Sequence, residues 1–406
     1  MLSTTKTKAV VGLDVEAGSV AAAEVAANGH AAVGKFGVVP LPAGIFREGE
    51  VSDPEVLGDA LKELFSKNKL SKAVRVGVAS QRVAVRTLRL PNIDDPSELE
   101  TAIRFRAQDH IPMPLEQAVL DWHIVGHSTG ENGERFVDVV AVAARRDMLG
   151  GLMQALARAG LRPVGIDLSA FGMIRALAGN TYESVDPGDY VDAPDASTAP
   201  EASAALDAPA ASAAPSYEQR VASQLQGEGG TAGSEPAPQQ ETAPARLYCN
   251  LGDVTNLAVA RGSVCLFTRV SPFGVEGIAQ KLAERRRLTL EHARQWLVHV
   301  GMEKALDGID GDAETISAAR DSLAEGAARL VDELRLSLEY YAAQEGAVPI
   351  EGIVACGPGT TIPGLIQRLQ RDLGQRFEIG RPRALGHLDE ATAARLTLSF
   401  GLALEE

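Results

Sequence analysis

Apolar and polar positions alternate from the first residues that carry any pattern. Ala9 to Leu13 reads as a short strand that ends at Asp14, Glu16 to Ser19 is a polar turn, and Val20 to Val25 is apolar again, so a hairpin is predicted. The period then changes. Behind an Asp53-Pro54 start, Val56, Leu57, Ala60, Leu61 and Leu64 recur at helical spacing and predict an amphipathic helix over 53–65. Strands are predicted at Val74 to Ser80 and Val83 to Leu90. Ser97 and Glu100 read as a capping box for a helix that carries Leu99 and Ile103 and ends at Ile111-Pro112. A strand at Val137 to Ala144, a helix at Asp147 to Ala159, a strand at Pro163 to Ile166 and a helix to about Ala178 follow. Paired strands alternating with single helices predict a small α+β unit, about 74–164, inserted in a first lobe that spans 1–182.

Between Pro187 and Ala245 this patterning stops. Apart from alanine, the apolar residues there are Tyr190, Val191, Leu206, Tyr217, Val221 and Leu225, set in Ala, Pro, Ser, Gly and Gln. Such a stretch cannot bury enough surface to offset the entropy of ordering, so a disordered linker is predicted over 183–245. It also explains the charge. The stretch from Pro187 to Ala245 holds nine acids against Arg220 alone, which is -8 of the formal -15, and leaves -7 for the rest. An acidic chain without clustered Lys and Arg is a poor nucleic-acid partner.

A second lobe, 246–406, begins where apolar patterning returns, and it opens as the first one did. Asn250, Gly252 and Thr255 stand at the same offsets as Asp14, Glu16 and Ser19, each set spanning a strand, a tight polar turn and a second strand. Helices are predicted at Val275 to Arg286, Leu290 to Val300 and Ile316 to Gln344. A strand at Ile350 to Ala355 enters Cys356-Gly357-Pro358-Gly359, and a helix runs from Pro363 to Leu373.

Three turns therefore have the small residues that let backbone N–H groups approach an oxyanion: Glu16 to Ser19, Gly252 to Thr255 and Gly357 to Thr360. Singly, each reads most simply as a structural turn. No serine or cysteine nucleophile motif accompanies His110, which reads as an exposed helix end, and Asp121 and Asp138 lie on different strands, so no catalytic residue is assigned. Cys249, Cys265 and Cys356 lack the spacing of a zinc site or a disulfide framework, and no metal ligand set is predicted. Arg285 to Arg287 read as a solvated helix end, and Trp122 and Trp296 as packing residues. No apolar run approaches the roughly 20 residues that span a bilayer, and the polar start to Lys8 has no signal-peptide core. A cytoplasmic protein is expected.

The order of the three turns resembles the actin, sugar-kinase and FtsA superfamily, with two phosphate loops and an adenosine turn. Within it the chain is similar to the PilM family. The matching features are a strand ending in Leu-Pro (Leu88 to Pro91), a helix running into Ile-Pro (Ser97 to Pro112), a strand with acid and aromatic (Asp121-Trp122), and a closing Gly401 to Leu404. The resemblance implies an actin-like ATPase fold of two ribonuclease-H-like lobes. It implies a nucleotide cleft held by Asp14, Gly18, Ser19, Asn250, Gly252, Asp253, Thr255, Gly357, Pro358 and Gly359, with ATP and magnesium as the possible cofactors.

Departures from the family pattern weaken that cofactor expectation. Glu16 stands where a Gly is expected, Ala21 where a Lys is, Asn250 where an Asp holds hydrated magnesium, and Arg294 and Leu297 where a Glu and a Lys face the nucleoside. A carboxylate facing phosphate repels it unless a cation intervenes, so weak or absent binding is expected. The resemblance also implies a non-catalytic scaffold of a type IV pilus or related pseudopilus machine. Its expected partner is the cytoplasmic tail of a PilN-like membrane protein, docked between the first lobe and its insertion, with other platform proteins and self-association as further contacts. That places it at the inner face of the cell membrane through partners, without insertion. The alternative is an active actin-like ATPase or small-molecule kinase, with Asp253 supplying the carboxylate that Asn250 lacks.

Overall fold

The computed structural model describes residues 9–28, 30–130, 133–179, 181–187, 244–344 and 346–404. Most of the predicted linker lies outside them. Its first residues do not: Glu183 to Val185 are strand, held by pairing to a distant segment that local composition cannot reveal.

Strands β1 (Val10–Glu16), β2 (Ser19–Asn28) and β3 (His30–Pro40) form an antiparallel meander, with Glu16 opposite Ser19 at the first turn. A two-residue pair, β4 (Phe46–Arg47) and β5 (Glu50–Val51), leads to α1 (Pro54–Lys67). Asp53 caps α1 by accepting the N–H groups of Glu55 and Val56 at 3.0 and 3.1 Å, and Pro54 occupies the first turn, where its missing N–H costs nothing. Leu57, Leu61 and Leu64 of the predicted stripe are buried at 1% exposure or less, Ala60 is half-buried, and Val56 lies exposed at 37% on the flank of the helix. Strand β6 (Ala73–Val78) lies parallel to β1 in this large sheet.

The small sheet begins only at β7 (Val83–Pro91), so Val74 to Val78 stand outside it. Helix α2 (Pro96–His110) packs Leu99, Ile103 and Ala107 on that sheet, whose strands β8 (Ala118–Thr129) and β9 (Arg135–Arg145) complete the order β7-β9-β8. Asp95, not Ser97, caps α2, accepting from Ser97 and Glu98. The Asp-Pro step decides this, because Pro96 fixes the first helical residue one place ahead of Ser97. Helix α3 (Arg146–Arg158) returns the chain to β10 (Arg162–Leu168), parallel to β6, and α4 (Ser169–Leu177) follows. The large sheet is ordered β10-β6-β1-β2-β3.

A second sheet repeats this order. Strand β11 (Tyr182–Val185) lies on its edge, ahead of the meander β12 (Ala245–Leu251), β13 (Thr255–Arg261) and β14 (Val264–Ser271). Helices α5 (Val275–Arg286), α6 (Leu290–Val300) and α7 (Ala313–Ala342) come next. Strand β15 (Ile350–Cys356), helix α8 (Leu365–Leu373), strand β16 (Phe377–Pro382) and helix α9 (Glu390–Ala403) end the described chain. The order is β11-β16-β15-β12-β13-β14, with β15 parallel to both β12 and β16.

One face of the second sheet packs on α5 to α8. The other shares a core with the first sheet through α4 and α9: Tyr248, Ala258 and Val354 join Val11, Leu13 and Val76 around Met173, Leu396 and Phe400. Those two helices cross closely. A Cβ on Gly401 would overlap the carbonyl of Gly172, so the crossing requires glycine there. Among the described residues no helix is long and apolar enough to cross a membrane.

Candidate functional site

The equivalent turns β1–β2 and β12–β13 face each other across the molecule. Asp253 Oδ2 accepts the N–H of Ala17 at 2.9 Å, and its Oδ1 accepts that of Val254 at 2.7 Å. From the opposite side, Asn250 Nδ2 donates to Glu16 Oε1 at 3.4 Å, and Asn250 Oδ1 accepts the Cys356 thiol at 3.7 Å. Gly252 is pinned beneath them, where a Cβ would overlap the Glu16 carboxylate. Gly357 enters the third turn at φ 86, and its missing Cβ leaves room for Asn250 Oδ1.

The predicted residues do not all converge. Asp14, Asn250, Gly252, Asp253 and Gly357 line one polar centre, with Gly18 beside it under the guanidinium of Arg294. Ser19 is buried and its hydroxyl accepts from Arg395 at 3.2 Å. Thr255 turns elsewhere, donating to the Phe273 carbonyl at 2.7 Å. Pro358 and Gly359 sit in a short turn packed on Leu251.

Charge at this centre is out of balance. Burial, and then repulsion from Asp253, pushes the Asp14 carboxyl up to about 7. Burial raises Asp253 to about 6 in spite of its two N–H bonds. Burial also drives Glu16 well above the usual carboxylate range, with Asp14 and Asp253 adding to the rise and Asn250 and Arg395 opposing it. Of the nearby cations, Arg294 is committed, pairing with Glu276 at 2.8 Å and Glu291 at 3.0 Å.

Sequence reasoning did not find two neighbours. Arg395 lies on α9, outside any turn motif. Asn256 stands opposite Asn250 in the β12–β13 ladder, 1% exposed, and neither end of its amide meets a hydrogen-bond partner. An Asn inside an otherwise apolar strand was the available signal. The remaining candidates resolve as structure. Cys249 and Cys356 are buried, Cys265 is half-buried, and burial pushes the thiols of Cys249 and Cys265 to about 12. Arg285 pairs with Glu325 at 2.9 Å, and Arg286 with Glu314 at 2.7 Å and Asp312 at 3.0 Å.

Two sheets of one strand order, joined by a shared helical layer and facing loops, define the actin-like ATPase fold. Residues 12–188 match the family model described as type IV pilus assembly protein PilM, which bears out the resemblance read from the sequence. The chain is similar to one in the solved "PilM-PilN type IV pilus biogenesis complex", at 22% identity over 97% of both chains and a TM-score of 0.67. It is more distantly similar to MreB5 of Spiroplasma citri bound to ADP, at 12% identity over 98% of this chain and 95% of that one, TM-score 0.49. The ethanolamine utilization protein EutJ from Carboxydothermus hydrogenoformans matches at 12% identity over 97% and 88%, TM-score 0.45.

Proposed function

We propose that this chain is a scaffold of type IV pilus assembly that docks the cytoplasmic tail of a PilN-like membrane protein and is held at the membrane through it. The observation that carries the reading is the PilM family match over 12–188, strengthened by the likeness in fold to a PilM–PilN complex. A pocket between β1 and β6 of the large sheet, the β4–β5 pair and α3 is the candidate site for such a tail. Val15, Val78, Phe46 and Val51 line one wall, and Met148, Leu149 and Leu152 of α3 the other. Gly49 and Gly77 complete its lining and put backbone polar groups among the apolar side chains. Ion pairs from Arg82 to Glu50 at 2.8 Å and to Asp147 at 3.4 Å join residues adjacent in sequence to both walls. A short tail that orders on binding needs well-buried apolar anchors, and the half-buried Val51 and Leu149 are the wall positions it would reach.

The cleft, in this reading, is not an ATPase site. Asp253 already occupies the first-loop N–H of Ala17, Glu16 points a carboxylate over Gly252, and Asn250 lacks the charge to hold hydrated magnesium. These residues do not suit a triphosphate. The rival ATPase or kinase reading needs Asp253 free, and its two N–H bonds speak against that.

The test is calorimetric titration of the full chain with a synthetic PilN-type tail. Leu149→Lys, at a half-buried wall position, should weaken binding by about 2 kcal/mol, while a surface change such as Glu351→Gln leaves it unaltered. A tail that binds neither protein, or both alike, defeats the groove assignment.

A further inference from the structure

The small sheet ends on β8, and no strand covers its far edge among the described residues. At 12 residues this edge is about 40 Å long. Open edges of that length are normally blunted by Lys, Pro or strong bulges. Between Ala118 and Thr129 there is no Lys, Arg or Pro, and the pairing is interrupted only between Ile124 and Gly126. The outer face exposes Val119 at 41% and Val125 at 37%, with Asp121 and His123 exposed between them. The inner face carries Leu120, Trp122 and Ile124, half-buried against the small core. At the centre of this run the N–H of Trp122 is taken up by its neighbour's carboxylate, Asp121 Oδ1, at 2.9 Å.

We propose that β8 is a self-association edge, on which a second copy of this chain pairs antiparallel about a two-fold axis through Trp122. An axis perpendicular to the sheet keeps outer residues opposite outer residues, so only registers centred on a residue are allowed. Centred on Trp122, the outer face sets Val119 against Val125 and Asp121 against His123 of the second copy. The inner face sets Leu120 against Ile124 and Trp122 against itself. Every exposed apolar side chain meets an apolar one, and the carboxylate meets an imidazole. Neighbouring registers lose this match: centred on Asp121 the two carboxylates oppose each other, and centred on His123 Asp121 faces Val125. Pairing also gives the Trp122 N–H a carbonyl acceptor and releases Asp121 to His123. The surface involved is smaller than that of a standard stable interface, so the dimer is weak and concentration-dependent. Recruitment of many copies to one membrane machine is the setting in which such an edge closes.

Cysteine pairing reads the register. Val119→Cys and Val125→Cys chains, one of them size-tagged, should form a disulfide heterodimer when mixed under mild oxidation, because opposed Cβ atoms in antiparallel strands lie within disulfide reach. Neither variant alone, nor the parent chain with its native thiols, should cross-link comparably. Sedimentation at up to millimolar protein supplies the charge test. Asp121→His and His123→Asp should each weaken association about tenfold, and the combined swap should restore it. A chain that stays monomeric throughout, homogeneous samples that cross-link as well as the mixture, or a swap as weak as its single changes would each overturn the proposal. So would a PilN-type tail that cross-links to Val125→Cys in place of a second copy.

Discussion

The β1–β2 and β12–β13 turns occupy equivalent places in two sheets of the same strand order, yet they hold their extra carboxylates in opposite ways. Asp253, in the second turn, is built in, with both oxygens accepting backbone N–H groups, one of them from the other turn. Glu16, in the first, leans on one side-chain amide at 3.4 Å. The two acids therefore differ in what they do. Asp253 latches the turns together, whereas Glu16 adds a charge that the site only partly compensates. A duplicated unit keeps its frame through the shared α4–α9 layer and lets its turns diverge.

The most severe way to break the comparison is to remove that shared layer. Gly401→Leu would force α9 off α4, costing about 3 kcal/mol, and denaturant unfolding should show both sheets destabilised in one transition. Separate transitions would mean that the halves do not depend on a common core.

A smaller effect separates the two turns. At pH 8, Glu16→Gln should raise stability, because an amide keeps the Asn250 contact and drops a costly charge. Asp253→Asn should gain less, or lose, because its carboxylate serves two N–H donors. Equal melting shifts would erase the distinction.

Asp14 gives the pH dependence. Its folded value of about 7 lies above the usual 3.8, so the native state binds this proton more tightly than the unfolded chain does. Its contribution is full below about 4, fades as pH rises toward 7, and is lost above. Asp14→Asn should therefore outperform the parent by a margin that grows by on the order of 1 kcal/mol per pH unit across that window. A margin independent of pH would place the charge elsewhere.

Much of this frame was legible in the sequence. Asp53-Pro54 marked α1, and the matched offsets of Asp14 and Asn250 anticipated paired turns that the registers of β1 and β12 display. Strand β3 was not read, since an Ala- and Gly-rich stretch has too little apolar contrast, and β11 owes its form to Gly380 and Ile379, far along the chain. The site shows the same limit. Small residues at fixed spacing pointed to the turns, but the Asp253–Ala17 bond joins groups 236 positions apart, and no local pattern encodes it. Arg395 escaped for that reason too, whereas Asn256 had a local signal, a lone amide in a strand of Leu, Ala and Val.

In the function proposed for this chain, the actin-like cleft is held shut by its own side chains and serves a scaffold. Titration of the full chain with magnesium-ATP, with phosphate release followed in the same samples, tests it most directly. Weak or undetectable binding without turnover is the predicted result, and Glu16→Gly with Asn250→Asp should tighten binding by restoring the residues a phosphate and its metal need. Tight binding with sustained hydrolysis by the unaltered chain would contradict it.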